Sequence, residues 1–158
     1  TCANDNNIDL AEWTSEREFR SFPDKISYTY QDRQLKRNII PDGYFMLNTP
    51  KHHIRYLLEI DRSTEDNPRF LREKILPGLA YLGSDAFEKR FGFKRGRWLV
   101  VTTGERRLGN MLRQARRAKA KGLFYFTTYD KVYKDRLLHA AIWQREDRDE
   151  PVPLVFLD

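Results

Sequence analysis

Apolar residues change their spacing several times along this chain, and each change marks an element. From Ile8 to about Phe22, Leu10, Ala11, Trp13, Phe19 and Phe22 read as the packing side of a helix, with Asn7 or Asp9 available as a cap and Pro23 as a stop. Residues 26–31, ISYTYQ, alternate as a strand, and QDRQLKRN after them reads as a polar connection. Residues 43–48 and 52–60 are rich in aromatic, aliphatic and β-branched side chains, and Asn48-Thr49-Pro50-Lys51 between them carries turn chemistry, so a hairpin is expected. Pro68 suits a helix start, and the helical pattern from Arg69 to Phe91, with Phe70, Ile75, Leu79 and Leu82 as its buried stripe, is interrupted at Pro77-Gly78, predicting a kink or two helices. RWLVVTTG and LFYFTT read as buried strands on either side of a helix, ERRLGNMLRQARRAKAKG. YDKVYKDRLLHAAIW reads as a terminal helix or helix-strand unit, PVPLVFLD as a short extended tail, and residues 1–7 as a frayed lead-in. The predicted order, α-β-β-β-α-β-α-β, gives a single α/β domain with a mixed β-sheet flanked by helices.

The hairpin concentrates the candidate chemistry. Asp42 lies between Pro41 and Gly43, a constrained position followed by a relaxed one, which suits a kink that aims one side chain. On the second strand the period of two puts Glu59 and Asp61 on one face and Leu58 and Ile60 on the other. Folding the hairpin brings Asp42 towards Glu59. The acids follow an apolar run, LLEID, that is expected to be buried, and buried carboxylates need a partner or a metal. Asp42, Glu59 and the backbone carbonyl of Ile60 are oxygen donors of the kind Mg²⁺ takes. Solvated hairpin carboxylates are the plainer alternative. His52 and His53 open the second strand on opposite faces without a cysteine nearby, so they suit structural roles better than a zinc site. Ser63 or Thr64, in the loop after Asp61, is placed to meet a phosphate or support the acids.

Charge adds a partner. The net charge of +6 favours an acidic one, nucleic acid or an anionic membrane, and no apolar run approaches membrane-spanning length. The helix after the buried strand sets Leu108, Met111, Leu112, Ala115 and Ala118 inward, against Arg106, Asn110, Arg113, Arg117 and Lys121 on the other side. Arg107, Arg116 and Lys119 broaden the basic face. A face of one sign repels itself, which implies an anionic partner such as a phosphate backbone. Lys94 and Arg95, in the basic turn GFKRGR, add to this set. Hydrophobic content of 40% and aromatic content of 13% argue against disorder, and the lone Cys2 excludes an internal disulfide and fits a reducing cytoplasm. GERRLG lacks the P-loop lysine pattern, and three histidines offer no evident nucleophile-base set. Beginning at Thr1 without an initiator methionine or signal-peptide core, the chain is expected to be a processed or excised piece of something longer.

A PD pair followed, after a hairpin-length gap, by an apolar strand ending in acids resembles the PD-(D/E)XK nuclease superfamily. More specifically, LAEWTSEREFR, PDGYFML, LLEIDRSTE, the helix with EKI and Tyr81, VVTTGERR and FYFTT look like the replication-relaxation protein family of plasmids and integrative elements. The resemblance runs from about Leu10 to Trp143. It implies a restriction-endonuclease-like core and a metal site of Asp42 and Glu59, with a first-helix glutamate beside it, for which Glu16 is chosen over Glu12 and Glu18. It also implies an upstream winged-helix segment, or other plasmid replication or transfer proteins, as partners. Where the superfamily carries a lysine, two residues after the strand acid, this chain has Asp61; Lys74 on the following helix is the candidate to take over, a solvent-facing helix residue being the alternative.

The leading expectation is a cytoplasmic, Mg²⁺- or Mn²⁺-dependent DNA endonuclease or nickase, in which Asp42 and Glu59 hold the metal, Asp61 adds a ligand or positions water, Lys74 stabilises the charge developing on phosphate, and Glu16 lies beside the site. A homodimer is expected if both strands are cut. A DNA-binding module on a nuclease-like scaffold that has lost cleavage is the alternative that Asp61 favours. A protein-interaction domain with a basic surface ranks third.

Overall fold

A computed structural model describes residues 7–156; the expected lead-in before Asn7, Cys2, and the last two residues of the tail lie outside the described residues. The described residues form seven strands and five α-helices in the order β1 (Asp9–Ser15), α1 (Glu16–Ser21), β2 (Asp24–Tyr30), β3 (Arg33–Ile39), β4 (Gly43–Asn48), β5 (His53–Ile60), α2 (Asn67–Phe70), α3 (Leu76–Leu82), α4 (Asp85–Phe91), β6 (Arg97–Thr102), α5 (Glu105–Arg117) and β7 (Phe124–Thr128). The main sheet has five strands in the order β1-β4-β5-β6-β7, antiparallel from β1 to β5 and parallel from β5 to β7. The expected hairpin is β4–β5, with Gly43 opposite Leu58 and Asn48 opposite His53. Asp42 N–H donates to the Leu58 carbonyl (2.9 Å), which continues the pairing one step beyond β4.

Two cores lie on the two faces. Phe19, Tyr44, Leu57, Phe70, Trp98, Leu108 and Phe126 pack with the helices on one face. On the other, Leu47, Tyr56, Leu99 and Tyr125 are covered by Leu138, Ile142, Trp143, Val152 and Leu154. That cover corrects the expected terminal helix. Beyond a 3₁₀ turn at Tyr129–Lys131, the segment runs through turns and two isolated bridges, Phe126–Gln144 and Trp143–Val152.

The first helix is also corrected. Residues 9–15 form an edge strand on β4, bulged at Glu12, whose φ is 54°. Leu10, Trp13 and Phe22 stay exposed, and only Phe19 of the expected stripe is fully buried. Trp13 stacks on Phe45, and its indole roofs Gly43, where an added Cβ would meet the ring at 3.0 Å. Glycine 43 thus gives room for a ring. The true helix starts at Ser15, where the Ser15 N–H donates to the Glu18 side chain (3.3 Å).

QDRQLKRN is a strand, not a connection. It forms β3, which pairs with β2 across a Gln31-Asp32 turn whose residues both have positive φ, 48° and 60°. This two-stranded ribbon is separate from the main sheet and packs on α3. Asp24 clamps its base by accepting from the Tyr81 hydroxyl (2.6 Å) and Arg90 Nε (2.7 Å).

Candidate functional site

Helix continuity through Pro77 decides where Lys74 falls. Between α2 and α3, Leu71–Ile75 widens into a π-helical turn, in which the Leu76 N–H donates to the Leu71 carbonyl. Pro77 has no N–H to continue this pattern onto the Arg72 carbonyl, and the Tyr28 hydroxyl donates to that oxygen instead (2.7 Å). Helical backbone therefore continues through Pro77, and the break comes at Gly83. Close packing holds the helix to the sheet: Trp98 Nε1 donates to the Gly78 carbonyl (3.2 Å), and a Cβ on Gly78 would meet Phe124 and Trp98 at 3.0 Å.

The widened turn directs Lys74 at the end of β5. Its Nζ lies 2.7 Å from Glu59 Oε1, and only 12% of the Glu59 side chain is exposed. Asp42 reaches the same strand end, where its Oδ2 accepts from the Ile60 N–H at 2.6 Å. Burial raises the Glu59 pKa; Lys74 opposes this, Asp42 and Glu65 add to it, and the result is about 7 rather than 4.5. Burial pulls Lys74 down, but the Glu59 carboxylate more than offsets it, leaving the ammonium's pKa raised. Asp42, Glu59 and Lys74 open into one cleft of about 260 Å³, floored by Phe70, Trp98, Val100 and Phe124 and bordered by Glu16, Arg20, Arg37 and Glu73.

Asp61 follows a different course. It is buried, held by Thr102 Oγ1 (2.7 Å) and by both Nε and Nη2 of Arg107 (3.1 Å each). Arg107 also donates to Asn67 (2.9 Å), and Tyr129 donates to the Asp61 carbonyl (3.1 Å), so the pair ties β5 to α2, α5 and the 3₁₀ turn. Asp61 and Arg107 thus form an internal ion pair, and neither lines the cleft that Asp42, Glu59 and Lys74 share. Among the described residues no three His, Cys, Asp or Glu side chains converge to hold a metal. Glu16 borders the cleft but is paired with Arg20 (2.8 Å).

The remaining basic residues divide by position. Arg106, Arg113, Arg116 and Arg117 are exposed on α5; Arg113 is hydrogen-bonded to Asn110, and Arg116 Nε donates to the Glu146 carbonyl (3.2 Å). Arg106 is in the first turn of α5, directly after β6, at the end of the sheet where Glu59 sits. Lys94, Arg95, Lys119 and Lys121 lie in segments leading into β6 and β7, at the opposite end of the parallel strands.

Sequence reasoning missed Arg37 and Glu73. Glu73 is drawn into the wall by Arg37 (3.1 Å), Arg69 (2.9 Å) and Arg72 (3.2 Å). The i,i+4 spacing of Arg69 and Glu73 was a visible signal, but Arg37 comes from a strand read as connection. Glu65 was missed as well, and one of its carboxylate oxygens is buried without a hydrogen-bond partner. Among the described residues no helix is long and apolar enough to cross a membrane. No known protein family, curated protein or solved structure matches the chain.

Proposed function

We propose that the chain is a metal-dependent DNA endonuclease or nickase of the PD-(D/E)XK kind, on a restriction-endonuclease-like core and serving plasmid or mobile-element replication or transfer. One observation carries the reading: an acid pair at the end of a hairpin strand, Asp42 and Glu59, meets a lysine delivered from the next helix, with Lys74 Nζ 2.7 Å from Glu59. The superfamily places its lysine on the strand. Here the helix supplies one at the same acid.

The donor set suits a hard cation. Two carboxylates on a largely buried site, one with its pKa raised to about 7, lack the positive charge that full ionisation needs. Asp42, Glu59 and the Ile60 carbonyl would hold Mg²⁺ or Mn²⁺, which supplies Lewis-acid polarisation of a phosphodiester when bound. Asp42 fixes the strand end by accepting from Ile60. Lys74 leaves or shares Glu59 and donates to the charge that develops on phosphate. Arg20 and Arg37 at the cleft border, with Arg106 at the start of α5, neutralise the flanking backbone.

The closed Lys74–Glu59 pair also favours a second reading, a DNA-binding module without cleavage, because the ammonium occupies a coordinating oxygen. Nicking of supercoiled plasmid with Mg²⁺ or Mn²⁺ separates the two. We expect metal-dependent nicking that EDTA abolishes and that Asp42→Ala and Glu59→Ala each lose, with Lys74→Ala reduced about 100-fold or more. DNA binding without nicking under either metal would sink the nuclease reading and leave the binding module.

A further inference from the structure

The β2–β3 ribbon leaves one of its faces without a layer over it. Ile26, Tyr28 and Ile39 point inward and are buried. The opposite face consists of Lys25, Ser27, Thr29, Gln34, Lys36 and Asn38, all exposed. These six pair across the ribbon as three rungs, Lys25 with Asn38, Ser27 with Lys36, and Thr29 with Gln34. The face holds two cations, two amides, two hydroxyls and no acid.

We infer that this face is a DNA-reading ribbon that enters the major groove of a duplex and presents it to the cleft; the inference rests on the DNA-directed reading above. Four points support it. A two-stranded ribbon is one of the few protein shapes the major groove admits. Rungs two residues apart are separated by about 6.8 Å, close to two base-pair steps of about 3.4 Å, so three rungs span about four base-pair steps, or roughly five base pairs. Amide, hydroxyl and ammonium groups are the donors and acceptors that base edges and phosphates recognise. Thr29 Oγ1 donates to Gln34 Oε1 (3.2 Å), which steadies one amide and leaves its NH₂ to donate outward. A protein partner would want an aromatic or aliphatic anchor at the centre of the patch, and the face has none.

Position connects the ribbon to the chemistry. Arg37, Asn38 and Ile39, at the end of β3, border the cleft that holds Asp42 and Glu59. Of these only Asn38 lies on the reading face, Arg37 and Ile39 being on the opposite one, so a duplex on the ribbon would meet the cleft at its Asn38 end. Duplex RNA is a poor fit, since its deep, narrow major groove excludes such a ribbon.

The test is equilibrium binding to a short random-sequence DNA duplex in EDTA, where no cleavage complicates the reading. The triple variant Lys25→Ala, Gln34→Ala, Lys36→Ala removes side chains that carry no packing, so its far-ultraviolet dichroism and melting are compared first with the native chain. We expect about tenfold or greater weakening, a log–log salt slope shallower by about two, and preference for duplex DNA over single-stranded DNA and duplex RNA in the native chain. A folded triple variant that binds within twofold of native overturns the ribbon proposal, as does a native chain that binds no duplex or prefers RNA. A variant that misfolds is replaced by Lys25→Gln with Lys36→Gln, which must lose the same slope. Plasmid nicking is scored separately: ribbon-dependent binding without nicking sinks the nuclease reading alone, and nicking with unaltered binding by the variant sinks the ribbon alone.

Discussion

Glu59 is held between two demands: burial favours its acid form, while Lys74 and any bound cation favour its anion. Its pKa near 7 lies above the value of the unfolded chain, so protonated Glu59 supports folding at low pH, and that support is lost as pH rises from about 4.5 through 7. In the proposed site a cation would bind only the anion and reverse the trend. We expect Ca²⁺ to raise Tm clearly at pH 8 and scarcely at pH 5.5, and Glu59→Gln to flatten both dependences; a pH-independent Ca²⁺ shift would exclude Glu59 as a ligand. Lys74→Met removes the largest influence holding Glu59 down, so the pH needed for the Ca²⁺ effect moves upward. Asp61 and Arg107 form a closed system by contrast, with 6% and 12% of their side chains exposed. Replacing either alone strands a buried charge, and Arg107→Ala should cost about 3–5 kcal/mol in denaturant titration, whereas Asp61→Asn with Arg107→Met together should cost much less.

At the scale of elements, the π-helical turn sets the distance between the acids and the lysine, and Gly78 sets how closely that helix lies on the sheet. Gly78→Ala forces a Cβ against Trp98 and Phe124, with an expected loss of about 1–3 kcal/mol and weaker metal-dependent stabilisation as Lys74 and the cleft wall shift. Thermal melts with and without Ca²⁺ read both effects. The hairpin, the two parallel strands and α5 were legible because their patterns were long and unmixed. Leu108, Met111, Leu112 and Ala115 are all buried, and Lys74, on the helix that follows the hairpin, lies beside Glu59. Residues 8–15 misled because Leu10 and Trp13 are not core residues at all: they sit on an edge strand, where apolar spacing says little about burial. The Ser15-x-x-Glu18 pattern was the better signal for the helix start. Arg33–Ile39 offered only Leu35 and Ile39 among polar residues, yet that alternation is what a one-sided strand requires. The pairing of Asp61 with Arg107 was not legible, because no local pattern announces a counter-ion that arrives from α5.

Over the whole molecule the two faces of the sheet are finished differently, by helices on one side and by an irregular segment on the other. Leu138, Ile142, Trp143 and Leu154 seal the second face, so a chain ending after Thr128 would leave Tyr56, Leu99 and Tyr125 uncovered. Such a truncation should bind ANS strongly and lose its cooperative melt. The β4–β5 hairpin stands apart from this long-range assembly. Asp42 and the Ile60 N–H it accepts from are 18 positions apart along the chain and joined by a single turn, while β5 finds β6 only after the helices between them. Contacts of short sequence separation close sooner than distant ones, so the acid pair belongs to the part of the chain able to form early, and Lys74 belongs to a part that must dock later. On that order two negative charges would meet before the Lys74 ammonium arrives, so, if the acid pair holds a divalent ion as proposed, we expect Mg²⁺ in the refolding buffer to speed the step that closes the cleft.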